Sequence, residues 1–199
     1  MLWETEMVRC FAAIELPDDV RALALQIRRA VVAADGRWRN EKWVAEDNLH
    51  MTVAFYGDVD EKVVSVIANA IRSVPVRPFV LTSPGFSAIP SAHEATMAWL
   101  SFADRSGEAT VLASLAGSAA EGLANPPADR SRNFKPHVTL VRARRPLRLS
   151  ADARSAVADL LADAGRISMS VPSVSVFAST LTPTGPRYEL LEKVPLQRP

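Results

Sequence analysis

Apolar positions recur along this chain in two rhythms. Val8 to Leu16 is a nearly unbroken apolar run that stops at Pro17-Asp18-Asp19, which predicts a strand followed by a helix start. Over residues 18–34, Val20, Leu23, Ala24, Ile27, Ala30, Val31 and Ala34 fall at helical spacing, with Arg21, Arg28 and Arg29 elsewhere on the wheel, and Gly36 ends the pattern. Leu49 to Tyr56 predicts a second strand, closed by Gly57-Asp58. Residues 60–73 predict a second amphipathic helix (Val63, Val64, Ile67, Ala70, Ile71) after the acidic start Asp60-Glu61. Val74-Pro75-Val76-Arg77-Pro78 is a hinge-like break. Beyond it the pattern predicts strands over Phe79–Ile89 and Thr96–Phe102, then an Ala-rich helix over 107–123 ended by Asn125-Pro126-Pro127. An Arg-rich loop follows, then a strand over His137–Arg142, a helix over 150–163, and strands over Ile167–Phe177 and Tyr188–Val194. This order points to an α+β or mixed α/β protein and excludes an all-β barrel or a helical bundle.

Composition narrows the field. With 199 residues, 48% hydrophobic and 23% charged, the chain can build one substantial core or two small lobes sharing a cleft, and disorder is not indicated. No apolar stretch is long enough to span a bilayer. Glu4 and Glu6 stand where a secretory signal would be basic, so a cytoplasmic location is expected. Cys10 is the only cysteine, which excludes an intrachain disulfide and a thiolate metal cluster and leaves a small buried hydrophobe. Phe11, Phe79, Trp99 and Phe177 read as core, and Trp38 and Trp43 as packing at a sheet edge. A net charge of +1 means that any nucleic-acid contact must come from a local patch. The candidate is the run Arg142-Ala143-Arg144-Arg145-Pro146-Leu147-Arg148, with Arg130, Arg132 and Lys135 near it. It reads equally as a solvated face or as a contact for an RNA backbone.

One constellation carries chemistry. Two of the three histidines begin the pattern His-x-Thr-x with apolar x: His50-Met51-Thr52-Val53 and His137-Val138-Thr139-Leu140. With nine threonines in 199 residues, chance would produce two such pairings with a probability below about one in a hundred. On a strand, side chains at i and i+2 share a face, about 6.6 Å apart. His50 and Thr52 therefore share one face, and His137 and Thr139 repeat the arrangement. Each copy is a strand followed by a helix, as expected of two related lobes facing one another. Two imidazoles and two hydroxyls converging on one site suit a phosphate. One imidazole can act as base and the other as acid near neutral pH, and threonine hydroxyls can donate to non-bridging oxygens. Two histidines without a third ligand make a poor metal site, and Asp47 and Asp58 read as caps or turns. No metal and no cofactor are expected. His93, in the loop Pro90-Ser91-Ala92-His93-Glu94, is assigned no role.

These paired motifs resemble the two-histidine phosphoesterase superfamily. The segment Trp43-Val44 through Asn48-Leu49-His50-Met51-Thr52-Val53-Ala54-Phe55-Tyr56-Gly57 looks like its bacterial LigT-like branch, RNA 2′,3′-cyclic phosphodiesterases historically called 2′–5′ RNA ligases. Arg9 to Pro17, Phe134 to Arg142 and Arg187-Tyr188-Glu189-Leu190-Leu191 extend the likeness over nearly the whole chain. Met51-Thr52-Val53 stands where Leu-Thr-Leu is commoner. The resemblance implies a bilobal α+β fold with two pseudo-symmetric, antiparallel-rich sheets flanked by helices and the active cleft between them. Residues 1–199 would form a single domain with interleaved lobes, and residues 1–6 an extension before a natural start at Met7. It implies hydrolysis of RNA-terminal 2′,3′-cyclic phosphate to a 2′-phosphate, with His50 the proton donor to the leaving 3′-oxygen and His137 the proton acceptor from water. Thr52, Thr139 and Arg142 would bind the phosphate and Phe55 would stack on the base. Phe55 and Arg142 lie five residues after their histidines, at the wrong parity, so they reach the cleft only if each strand bulges, twists or ends nearby. The expected partner is an RNA 3′ end or a small cyclic phosphodiester, with no membrane contact and a monomer sufficient. The alternatives are a phosphodiesterase of small cyclic nucleotides or 2′–5′ linkages, a non-catalytic module binding RNA ends, and a metal-dependent nuclease.

Overall fold

The computed structural model describes residues 7–119, 134–164, 167–183 and 185–197. In chain order it contains β1 (Met7–Glu15), α1 (Asp18–Ala34), β2 (Lys42–Trp43), β3 (His50–Asp60), α2 (Glu61–Arg72), β4 (Phe79–Ile89) and β5 (Ala95–Ala103). Then come α3 (Glu108–Ser118), β6 (His137–Leu147), α4 (Ala151–Asp163), β7 (Ser168–Val171), β8 (Ser173–Thr182) and β9 (Gly185–Pro195). Two antiparallel sheets result, a four-stranded one in the order β3-β1-β8-β9 and a five-stranded one in the order β2-β6-β5-β4-β7. The expected α+β, two-sheet architecture is what the chain adopts.

The middle of β1 is apolar because the strand is central to its sheet and covered there on both faces: Cys10 to Ile14 are all buried. α1 buries Val20, Leu23, Ala24, Ile27 and Val31, the stripe the sequence predicts, and packs against α4. α3 packs on β3, where the buried Tyr56 hydroxyl donates to the Ala116 carbonyl at 3.0 Å. α2 is capped by Asp60, whose carboxylate accepts the Lys62 amide, and buries Ile67, Ala68 and Ile71. No described helix is long and apolar enough to cross a membrane.

Several sequence expectations need correction. The strand expected over Ile167–Phe177 is two strands in different sheets: β7 pairs with β4, and β8 pairs with β1 and β9. The break is Pro172, which has no amide hydrogen to continue either ladder. Gly57-Asp58 does not close β3, which runs on to Asp60. Gly57 takes the left-handed backbone at φ +74, opposite Cys10, and Asp58 forms a cross-strand ion pair with Arg9 at 3.2 Å. The basic run from Arg142 begins inside β6, which continues to Leu147. β2 went unpredicted because it is only two residues long. Trp38 is fully buried, in the core and not at an edge, while Trp43 lies on the edge strand and donates its indole N–H to the Trp38 carbonyl at 2.8 Å. The described part of the Ala-rich helix ends at Ser118. Residues 1–6, Asn125-Pro126-Pro127, Arg130 and Arg132 lie outside the described residues.

Candidate active site

β3 and β6 begin with the two histidines, and the two strands are in contact where the sheets meet. A cavity of about 210 Å³ opens there. His50, Thr52 and Phe55 line it from one sheet, and His137, Thr139 and Arg142 from the other. All six residues singled out by the sequence and the resemblance therefore share one cleft. His93 is exposed and elsewhere.

The two imidazoles are held in the same way. His50 Nδ1 donates to the Asn48 carbonyl at 2.7 Å, and His137 Nδ1 donates to the Lys135 carbonyl at 2.7 Å, each two residues upstream. A carbonyl only accepts, so Nδ1 carries the hydrogen and Nε2 is the nitrogen free for chemistry in both rings. His50 Nε2 lies 3.0 Å from Thr52 Oγ1. The aromatic surroundings differ. Trp99 stacks on His137 with centroids 3.9 Å apart, whereas His50 meets Phe11 at 4.9 Å and the edge of Tyr188 at 5.2 Å.

Burial lowers the pKa of His50. The Asn48 carbonyl opposes this, and the neighbouring His137 lowers it further. Burial also lowers His137, against the Lys135 carbonyl and with help from the Arg142 charge. Both imidazoles therefore favour the neutral form. Tyr188 is pushed up by burial, with the Arg142 cation acting against it across the cleft.

The parity problem of Phe55 and Arg142 resolves in the ladders. Between β1 and β3, Ala12 faces Ala54 and Ala13 faces Thr52, so Val53 is an extra residue. Between β5 and β6, Ala98 faces Val141 and Trp99 faces Thr139, so Leu140 is extra. Each strand thus bulges three residues after its histidine. Val53-Ala54 and Leu140-Val141 are both consecutive buried pairs, and the bulge reverses the alternation. Phe55 and Arg142 consequently return to the histidine face. Phe55 is 43% exposed at the rim, and Arg142 Nη1 contacts Met97 Sδ at 2.8 Å.

Trp99 and Phe177 are only partly buried, so they are not core residues as expected. Trp99 backs His137, and Phe177 stacks on Phe11 at 5.4 Å. Phe11 is 2% exposed, yet it also lines the cleft. Sequence reasoning assigned no role to Val44, Asn48, Ser179 or Tyr188, which complete the lining. Ser179 and Tyr188 are a directly opposed pair on β8 and β9, a register that alternation alone does not reveal. Cys10 is buried, which raises its thiol to about 11 and keeps it unreactive. Among the described residues no group of three or more His, Cys, Asp or Glu is placed to hold a metal. A wider groove of about 780 Å³ lies at the other end of the four-stranded sheet. Asp58, Glu61, Glu189 and Glu192 against Arg9 make it unfit for a polyanion.

A two-sheet fold that brings duplicated His-x-Thr strands face to face around one small polar cleft defines a phosphoester-cleaving class of protein. The family described as LigT-like phosphoesterases matches residues 14–99 and 106–188. The chain belongs to that family. An RNA 2′,3′-cyclic phosphodiesterase of Methanothermobacter thermautotrophicus is 28% identical over 190 residues, covering 93% of this chain and 97% of that protein. The protein TT0787 of Thermus thermophilus shares the fold with a TM-score of 0.73 at 24% identity, covering 96% of this chain and 98% of the other. E. coli LigT complexed with 3′-AMP shares it with a TM-score of 0.69 at 23% identity, covering 96% and 99%.

Proposed function

We propose that this chain hydrolyses RNA-terminal 2′,3′-cyclic phosphates to 2′-phosphates by acid–base catalysis between His50 and His137, without a metal ion. The observation that carries the proposal is the matched tethering of the two rings, each with Nδ1 bound to a carbonyl and Nε2 left for the cleft. His137 Nε2 takes a proton from water as the water oxygen attacks phosphorus. The bond from phosphorus to the 3′-oxygen breaks, and His50 Nε2–H protonates that oxygen. The Thr52 and Thr139 hydroxyls and the Arg142 guanidinium donate to the non-bridging oxygens, where charge accumulates. Phe55, exposed at the rim, stacks on the terminal base. One chain lines the whole cleft, so no second subunit is required. The relative named as an RNA 2′,3′-cyclic phosphodiesterase supports the substrate class.

The test is turnover of an oligonucleotide ending in a cyclic phosphate, in the presence of a chelator, with the product end mapped. The wild type should yield a 2′-phosphate. Replacing either His50 or His137 by Ala should lower kcat by roughly 10²- to 10⁴-fold with the fold retained. Near-wild-type rates in both variants would falsify the mechanism. Loss of activity on chelation would refute metal independence, and binding without turnover would favour a non-catalytic module.

A further inference from the structure

Beside the cleft stands a cation with no role so far: Arg142 lines the cleft, and its partner on the neighbouring strand does not. Lys42 on the edge strand β2 lies directly opposite Arg142 in the β2–β6 ladder. Directly opposed residues project from the same face with Cβ atoms about 4.5–5.5 Å apart, and like charges there repel. Among the described residues no salt bridge reaches Lys42 or Arg142. The adjacent Glu41 carboxylate is turned to the Arg144 amide, which donates to it at 2.7 Å, and Arg142 touches the Met97 sulfur. Lys42 is exposed. One cation in the cleft and a second beside it on the edge strand suit two negative charges, and the phosphate being cleaved supplies only one.

We propose that Lys42 binds the phosphodiester one nucleotide 5′ of the cyclic end, so that the site selects the end of an RNA strand over a free 2′,3′-cyclic mononucleotide. The inference rests on the cyclic phosphodiesterase reading of the same cleft and adds its substrate class. The two cations suit their tasks. The planar fork of Arg142 matches a phosphate whose orientation matters, while the flexible ammonium of Lys42 follows a backbone charge that does not react.

The experiment measures kcat/KM of the full chain for a cyclic-phosphate oligoribonucleotide and for 2′,3′-cyclic AMP, at two salt concentrations. Lys42→Gln should lower the ratio of oligonucleotide to mononucleotide by roughly tenfold and reduce the salt slope for the oligonucleotide by about 0.7, the value for one contact to a single strand. Lys42→Arg should restore both. An unchanged ratio, or equal loss on both substrates, overturns the inference while leaving the phosphodiesterase reading intact, and Lys42 then only guards an exposed sheet edge. A wild-type protein that turns over neither substrate sinks the phosphodiesterase reading, and the inference falls with it.

Discussion

His50 and His137 are both buried enough to favour the neutral imidazole, yet the proposed reaction needs one of them protonated. The substrate supplies the remedy: a phosphodiester anion between the rings favours imidazolium, opposing burial. The pH dependence of kcat/KM reports the free protein and that of kcat reports the complex. The kcat/KM profile should therefore be a bell centred below the ordinary histidine value of about 6.5, and the kcat profile should lie at higher pH. Coincident bells centred above neutrality would contradict the environment described for both rings. Trp99 adds an asymmetry: its ring lies flat on His137 and not on His50. An aromatic face favours a cation, so the stack offsets part of the burial cost as the base takes up its proton.

The bulged strand is the next unit of function. Were β3 regular and without the bulge at Val53, Phe55 would point into the core with Met51, and without the bulge at Leu140 the same would hold for Arg142. Phe55→Ala should raise KM for an oligonucleotide roughly tenfold or more with kcat little changed, since stacking on one base is worth about 1–3 kcal/mol. A fall in kcat at constant KM would place Phe55 in another role. Strand alternation was enough to read the shared face of each His and Thr from the sequence, because period two survives as far as the threonine. It failed beyond, although the signal was present: the doublets Val53-Ala54 and Leu140-Val141 interrupt alternation at the same distance from each histidine. The likeness to a known family anticipated the two sheets, and the helix stripes were plain from periodicity. The division at Pro172 was not, because the apolar residues flanking it are buried in either sheet. Tyr188 and Ser179 were illegible because they enter the cleft through a pairing between distant strands.

On the scale of the whole molecule, a buried carboxylate ties the supports of the two histidine strands together. Asp35, just after α1, accepts from Arg37 Nε at 2.8 Å and from the Ser150 amide at 3.2 Å, at the start of α4. The Arg37 guanidinium holds the Asp35 carboxyl below its usual range, against burial. α1 leads toward β3 and α4 follows β6, so the clamp braces both halves of the cleft from behind. Asp35→Ala leaves the Ser150 amide without its acceptor and should cost about 2 kcal/mol. In a protein of this size that is a fall in Tm of roughly 4–8 °C, read by thermal unfolding. An unchanged Tm would show that the clamp contributes nothing.

The four-stranded sheet takes β1 and β3 from early in the chain and β8 and β9 from late in it, with all of the five-stranded sheet but β2 made in between. During synthesis, therefore, the first histidine strand leaves the ribosome long before the strand that carries Tyr188 over its ring. A nascent chain has half of its acid–base pair until β6 is made, and it lacks the Tyr188 wall of the pocket until β9 has joined β8. On the proposed activity, the order of the strands would delay its onset until β9 has been made.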